Sequence, residues 1–134
     1  MTDTLFPRPI AHRGLHDKAA GIIENSASAF EAAIAGDFAI ECDVQLTGDS
    51  VPVVFHDDAM ERLIGLPGPI ADASADQVTG TALLGSAAGD KPQRFTNFLA
   101  QISGRTLLQI ELKQQRDATS TQLLARGSGD HRII

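Results

Sequence analysis

The stretch Phe38-Ala39-Ile40-Glu41-Cys42-Asp43-Val44-Gln45-Leu46 decides the reading of this chain. In an extended backbone successive side chains point to opposite sides, so Ile40, Cys42, Val44 and Leu46 share one face and Ala39, Glu41, Asp43 and Gln45 the other. One face belongs against a core; the second carries two acids. Upstream, Asn25 or Ser26 is a good N-cap for a helix whose apolar stripe is Ala27, Phe30, Ala33 and Ile34, and Gly36 ends it. Before that helix, Ile10-Ala11-His12 reads as a short strand emptying into the Arg13-Gly14 loop. Downstream, residues 47–50 have turn composition and 51–55 form a β-branched run that ends at His56.

Further on, the pattern predicts a helix over 95–102, closed by Ser103-Gly104, and a strand over 107–113 with Gln109, Glu111 and Lys113 on one face. Another helix is expected over 118–125, and 127–134 reads as an irregular tail without periodicity. Residues 57–94 are rich in Gly, Pro, Ala and Asp, with a short helix expected near 73–78, and read as an irregular insertion into one domain spanning 1–134. Strands followed by helices give an α/β layer architecture, in which sites gather at the carboxyl ends of the strands.

Composition narrows the partners. Seventeen acidic against eleven basic residues give a net charge of −6, and the only aromatic residues are six Phe, so neither a phosphate-tracking field nor a base-stacking platform is present. Nucleic acid is therefore not an expected partner. A single cysteine, Cys42, excludes an internal disulfide and cannot alone build a thiolate zinc site. The first residues lack the basic start and apolar run of a secretory signal, and no apolar run approaches the roughly 20 residues of a membrane-spanning helix. The expectation is a soluble, cytoplasmic protein with no membrane span.

The chargeable residues fall at strand ends and on strand faces: His12, Arg13, Glu41, Asp43, His56, Glu111 and Lys113. Glu41 and Asp43 lie two apart, roughly 7 Å at the backbone, so their carboxylates can lean onto one cation. With Glu111 as a third oxygen donor the set suits Ca²⁺ or Mg²⁺ better than Zn²⁺, and the alternative is a merely solvated strand face. His12 and His56 are candidates for proton exchange, and Arg13 and Lys113 for holding a phosphate or carboxylate.

Five separated motifs carry a family resemblance: Ile10-Ala11-His12-Arg13-Gly14; Glu24-Asn25-Ser26 with Ala29-Phe30 and Ala33; Ile40 to Thr47; Val53-Val54-Phe55-His56-Asp57; and Ile110-Glu111-Leu112-Lys113. In order and spacing they resemble the glycerophosphodiester phosphodiesterase family, from about Pro9 to Lys113. The resemblance implies the N-terminal half of a TIM-type (β/α)8 barrel with a small insertion after the third strand, here 57–94. It also implies metal-dependent hydrolysis of a glycerophosphodiester to glycerol phosphate and an alcohol. Carried over by position, Glu41, Asp43 and Glu111 would be metal ligands for Ca²⁺ or Mg²⁺, His12 and His56 the acid–base pair, and Arg13 and Lys113 the phosphate-binding residues.

This sequence departs from the family at several points. Gly48-Asp49-Ser50 stands where a Lys-Asp-Gly turn is usual, with Gly48 expected to keep the turn chemistry, and Pro92-Gln93-Arg94-Phe95 replaces an Ile-Pro-Thr-Leu-like segment. A full barrel takes about 250 residues and eight strands. The runs 10–12, 38–46, 51–56 and 107–113 would supply four, and no Trp is present for the family's closing motif. The alternative expectation is thus a truncated, catalytically inactive fragment or binding module that retains the metal and phosphate groups. With inward-facing Ala39, Val53 and Ile110 uncovered, such a chain would self-associate through its open edges.

Overall fold

A computed structural model describes residues 8–113, 120–126 and 131–132. Strand β1 (Ile10–His12) runs parallel to β2 (Ala39–Leu46), with Ala11 beside Ile40 and His12 beside Glu41. On the other edge of β2, β4 (Leu107–Lys113) is also parallel, placing Ile110 beside Cys42 and Glu111 beside Asp43. Helix α1 (Ala27–Ala35) connects β1 to β2, and α4 (Phe95–Ile102) precedes β4, which is the strand–helix alternation of a barrel wall.

Local chemistry explains these elements. The Ser26 hydroxyl accepts from the Ala29 N–H at the start of α1, and Gly36 caps its end. Helix α4 ends at Ser103, whose backbone is left-handed at φ 49°. Phe30 and Ala33 of α1 and Phe98 and Ile102 of α4 are buried against Ala11, Ile40, Cys42, Val44, Leu108 and Ile110 of the strands. The Phe30 and Phe98 rings lie 4.7 Å apart at 60°, and each fully buried phenyl contributes about 1.5–3 kcal/mol by leaving water.

Strand β3 (Pro52–Val54) corrects the strand count. It is antiparallel to β2, and because Val44 pairs with both Val54 and Leu112, β3 lies on the β1 side of β2. It is the return of a tight hairpin, so β1, β2 and β4 are the parallel strands among the described residues. Ser50 carries the left-handed turn conformation at φ 63°. Gly48 serves close approach instead: its N–H donates to the Ala73 carbonyl at 2.7 Å, and a Cβ there would meet the Ala71 oxygen at 2.7 Å.

The segment 57–94 is packed, not irregular. It contains the short helices α2 (Glu61–Ile64) and α3 (Ala75–Thr79) and builds a second buried cluster from Met60, Leu63, Ile64, Ile70, Ala73, Val78 and Leu83. Ile23, Val53 and Phe55 join that cluster, so β3 sends Val53 to one core and Val54 to the other. Backbone bonds fasten the segment to the loop after β1, through Ala87 N–H to the Gly21 carbonyl at 2.9 Å, and the Asp90 carboxylate accepts from Ser28 N–H at 3.0 Å.

Two further expectations change. The helix expected over 118–125 is strand β5 (Ser120–Arg126), antiparallel to β4; Ser and Thr are poor helix formers, and the free edge of β4 offers a full ladder. Residues 118–119 lie outside the described residues. Within 127–134, β6 (His131–Arg132) pairs with β5, and the other six positions lie outside the described residues. Ala39, Val53 and Ile110 are all buried, Ile110 in the helix-side core, so they offer no uncovered face.

Candidate active site

The second face of β2 is buried. Glu41 is 6% and Asp43 2% exposed, which excludes the merely solvated strand face. Parallel register brings Glu111 beside Asp43, and one carboxylate oxygen from each of Glu41, Asp43 and Glu111 lies within 4.8 Å of the other two. Burial and the neighbouring Asp43 charge push the Glu41 carboxyl up to about 7, so the cluster resists carrying its full negative charge.

The loop after β1 supplies the polar cover. Arg13 adopts a left-handed backbone at φ 61° and points its N–H at Glu41 Oε1, 3.1 Å away. Gly14 follows at φ 80°, and a Cβ there would collide with the Ala29 Cβ at 2.8 Å, so only glycine lets this turn lie on α1. Asn25, also left-handed at φ 54°, donates its Nδ2 to Asp43 Oδ2 at 3.1 Å, while its buried Oδ1 has no partner. Such backbone outliers cost about 1–3 kcal/mol and persist where surrounding contacts over-determine them.

The Arg13 guanidinium bonds Glu24 through Nη1 at 3.1 Å. Its buried Nε lies 3.6 Å from Asp43 Oδ2, too far for a hydrogen bond, and has no acceptor. His12 places Nε2 3.8 Å from Glu41 Oε1. His56 Nδ1 is 2.8 Å from Asp57 Oδ1, and buried Gln45 donates to the carbonyls of Phe55 and Asp57 on either side of it, at 2.9 and 2.8 Å. Lys113 is half-buried at the end of β4, two residues beyond Glu111 on the same strand face.

Strand register therefore joins the three carboxylates, and Arg13 and His12 lie against them. Sequence reasoning missed the supporting residues Asn25, Gln45, Asp57, Glu24 and Arg62. Arg62 bonds both Asp57 and Glu24. Its hydrogen bonds hold the Asp57 carboxyl down at about 2; for Glu24, burial raises the carboxyl, and Arg62 and Arg13 outweigh it and lower the pKa. Glu24 and Asn25 stood within a family motif, and only the folded loop shows what they touch.

The residues fit a hard divalent cation: an all-oxygen donor set, two of its members buried, an unsatisfied Asn25 oxygen beside it, and a Glu41 carboxyl held up by burial and by its like-charged neighbour Asp43.

The family model described as "Glycerophosphoryl diester phosphodiesterase family" matches residues 12–125. The chain belongs to the glycerophosphoryl diester phosphodiesterase family. Among the relatives of this family member, the uncharacterized protein YqiK of Bacillus subtilis (strain 168) is 44% identical over 69 residues, which are 51% of this chain and 27% of YqiK. Glycerophosphodiester phosphodiesterase 1 of Rattus norvegicus is 38% identical over 71 residues, covering 52% of this chain and 20% of the rat protein. The fold of this phosphodiesterase-family chain matches the crystal structure of a glycerophosphodiester phosphodiesterase from Agrobacterium tumefaciens with a TM-score of 0.72 at 25% identity, over 81% of this chain and 48% of the other. It also matches an Oleispira antarctica phosphodiesterase solved with the product sn-glycerol-3-phosphate, with a TM-score of 0.70 at 27% identity, over 82% and 46%. The match thus spans about a quarter or less of these curated relatives and just under half of these solved structures. The fold is α/β, part of a TIM-type barrel. No helix among the described residues is long and apolar enough to cross a membrane.

Proposed function

We propose that this chain carries the hydrolytic site of a glycerophosphodiester phosphodiesterase, converting a glycerophosphodiester to glycerol phosphate and an alcohol. The observation that carries the reading is the convergence of Glu41, Asp43 and Glu111 beside Arg13, whose buried Nε–H has no acceptor. A phosphoryl oxygen is an acceptor of the right charge for that donor, and Lys113 adds a point charge on the strand that carries Glu111.

Ca²⁺ or Mg²⁺ held by Glu41, Asp43 and Glu111 would supply positive charge at the phosphoryl oxygens as charge develops there. His12 and His56 serve as the acid–base pair: one takes the proton of the attacking hydroxyl, the other gives a proton to the departing alkoxide, and a P–O bond forms as another breaks. Asp57 accepts from His56 Nδ1 and leaves Nε2 for that exchange, and the two Gln45 bonds fix the backbone on both sides of the ring. Arg13 and Lys113 hold the phosphate. The same proposal takes the protein as cytoplasmic, residues 1–134 as one partial phosphodiesterase domain and 57–94 as its insertion.

A second reading, a chain that binds cation and phosphate without turnover, is favoured by the His12 side chain, which is 67% exposed and at 3.8 Å too far from Glu41 for a hydrogen bond. One assay separates the two. Glycerophosphocholine incubated with the 134-residue chain and Ca²⁺ or Mg²⁺ should release glycerol phosphate; no release, with cation binding intact, selects the binding module.

A further inference from the structure

We propose that Arg62, carried by the insertion, is a positioning residue: it clamps Asp57 to Glu24 so that Asp57 holds the His56 imidazole in one tautomer and Glu24 holds Arg13 against the acidic cluster. Arg62 Nε and Nη2 bond the two oxygens of Asp57 at 2.8 and 2.9 Å, and Nη1 and Nη2 bond the two oxygens of Glu24 at 2.9 and 3.1 Å. One planar guanidinium thus presents two edges to two carboxylates. Beyond it, Asp57 Oδ1 lies 2.8 Å from His56 Nδ1, and Glu24 Oε2 is shared with Arg13 Nη1 at 3.1 Å. The charges alternate from Asp57 through Arg62, Glu24 and Arg13 to Asp43.

The Arg62 side chain is 54% exposed, and an exposed ion pair contributes little to folding. Its delivery is nevertheless built. Leu63 and Ile64, the next residues of α2, are buried in the second cluster, the Leu63 carbonyl accepts from Leu84 N–H at 2.8 Å, and Gly65 ends the helix in a left-handed turn. The insertion therefore anchors α2 by its apolar side while Arg62 reaches Glu24 in the loop after β1 and Asp57 in the loop after β3. Without Arg62, Glu24 and Asp57 would face each other across the site with one fewer cation between them. A lysine keeps the charge but lacks the two-edged fork.

The meaning for catalysis rests on the hydrolytic reading above, so the test is made on metal-free, substrate-free chain. Long-range ¹⁵N–¹H spectra, at a pH where the His56 ring is neutral, report which nitrogen carries the proton. The wild-type chain should show the Nδ1–H tautomer, Arg62→Met a mixture of both tautomers, and Arg62→Lys an intermediate mixture. Unchanged amide shifts in α1 and α4 would show that the variants fold. If Arg62→Met does not fold, Arg62→Lys carries the test. A pure Nδ1–H tautomer in every folded variant, or its absence from the wild type, overturns the proposal. Where turnover is measurable, Arg62→Met should lower kcat about tenfold through His56 and also raise KM, because Glu24 then holds the phosphate-binding Arg13 less firmly. A wild-type chain without turnover but with the predicted tautomers would count against the hydrolytic reading and leave the clamp standing.

Discussion

The two buried clusters of this molecule are built by different means. The first packs Phe30, Phe98 and Ile102 of two capped helices against Ile40, Cys42, Leu108 and Ile110 of parallel strands. The second collects Met60, Leu63, Ile70, Val78 and Leu83 from short helices and turns, held together by backbone bonds such as Met60 N–H to the Gly68 carbonyl and Leu83 N–H to the Asp90 carbonyl. Periodic elements place the carboxylates; the aperiodic segment brings Arg62 to the loops that carry Arg13 and His56. The acidic centre and the Arg62 clamp therefore depend on different packing, and can be damaged separately.

The largest expected effect is on chemistry at the border of the two clusters. His12→Ala and His56→Ala should each lower turnover of an active form by about 10²- to 10⁴-fold, the usual contribution of a general acid or base, while leaving cation binding intact. Losses below about tenfold in both would remove the histidines from the mechanism. Next, Phe98→Ala should cost the whole fold about 3–5 kcal/mol in urea unfolding, since a fully buried ring leaves a cavity. Leu83→Ala, costing about 2 kcal/mol, should instead speed amide exchange within 57–94 and spare β2 and β4. Exchange raised equally everywhere in both variants would show one cooperative unit and break the comparison.

The smallest effect concerns acid. Asp57 has a folded-state pKa of about 2 against an ordinary 3.8, so the ionised carboxylate favours the folded state. That stabilisation is fully present above pH 4 and is lost as pH falls through about 2. The shift itself would be worth about 2 kcal/mol, and the exposure of Arg62 reduces it to about 1. Asp57→Asn should therefore flatten the stability profile between pH 4 and 2; an unchanged slope would remove Asp57 as its source.

The regular part of the fold is legible in residues whose neighbours are local. Ser26 and Gly36 mark the ends of α1, the alternation from Ala39 to Leu46 gives β2, and Phe95–Ile102 forms α4 as its stripe requires. The three carboxylates follow from two-residue spacing on β2 and an equivalent place on a later strand. The second cluster was hidden because Leu63, Ile70, Val78 and Leu83 follow neither a helical nor a strand period. Antiparallel β3 resembled a barrel strand in composition, and direction leaves no local mark. Asn25 acts through a left-handed backbone and a contact 18 residues away, and Arg62 through a contact 38 residues away, which no window of sequence contains.

Calorimetric titration of Ca²⁺ and Mg²⁺ into the wild-type chain and Asp43→Asn tests the acidic centre most directly. At least one of these cations should bind the wild type, with affinity at least about tenfold weaker when one of the most buried donors loses its charge. Equal affinity in the two proteins, or no binding to a folded wild-type chain, would contradict the proposed cation site.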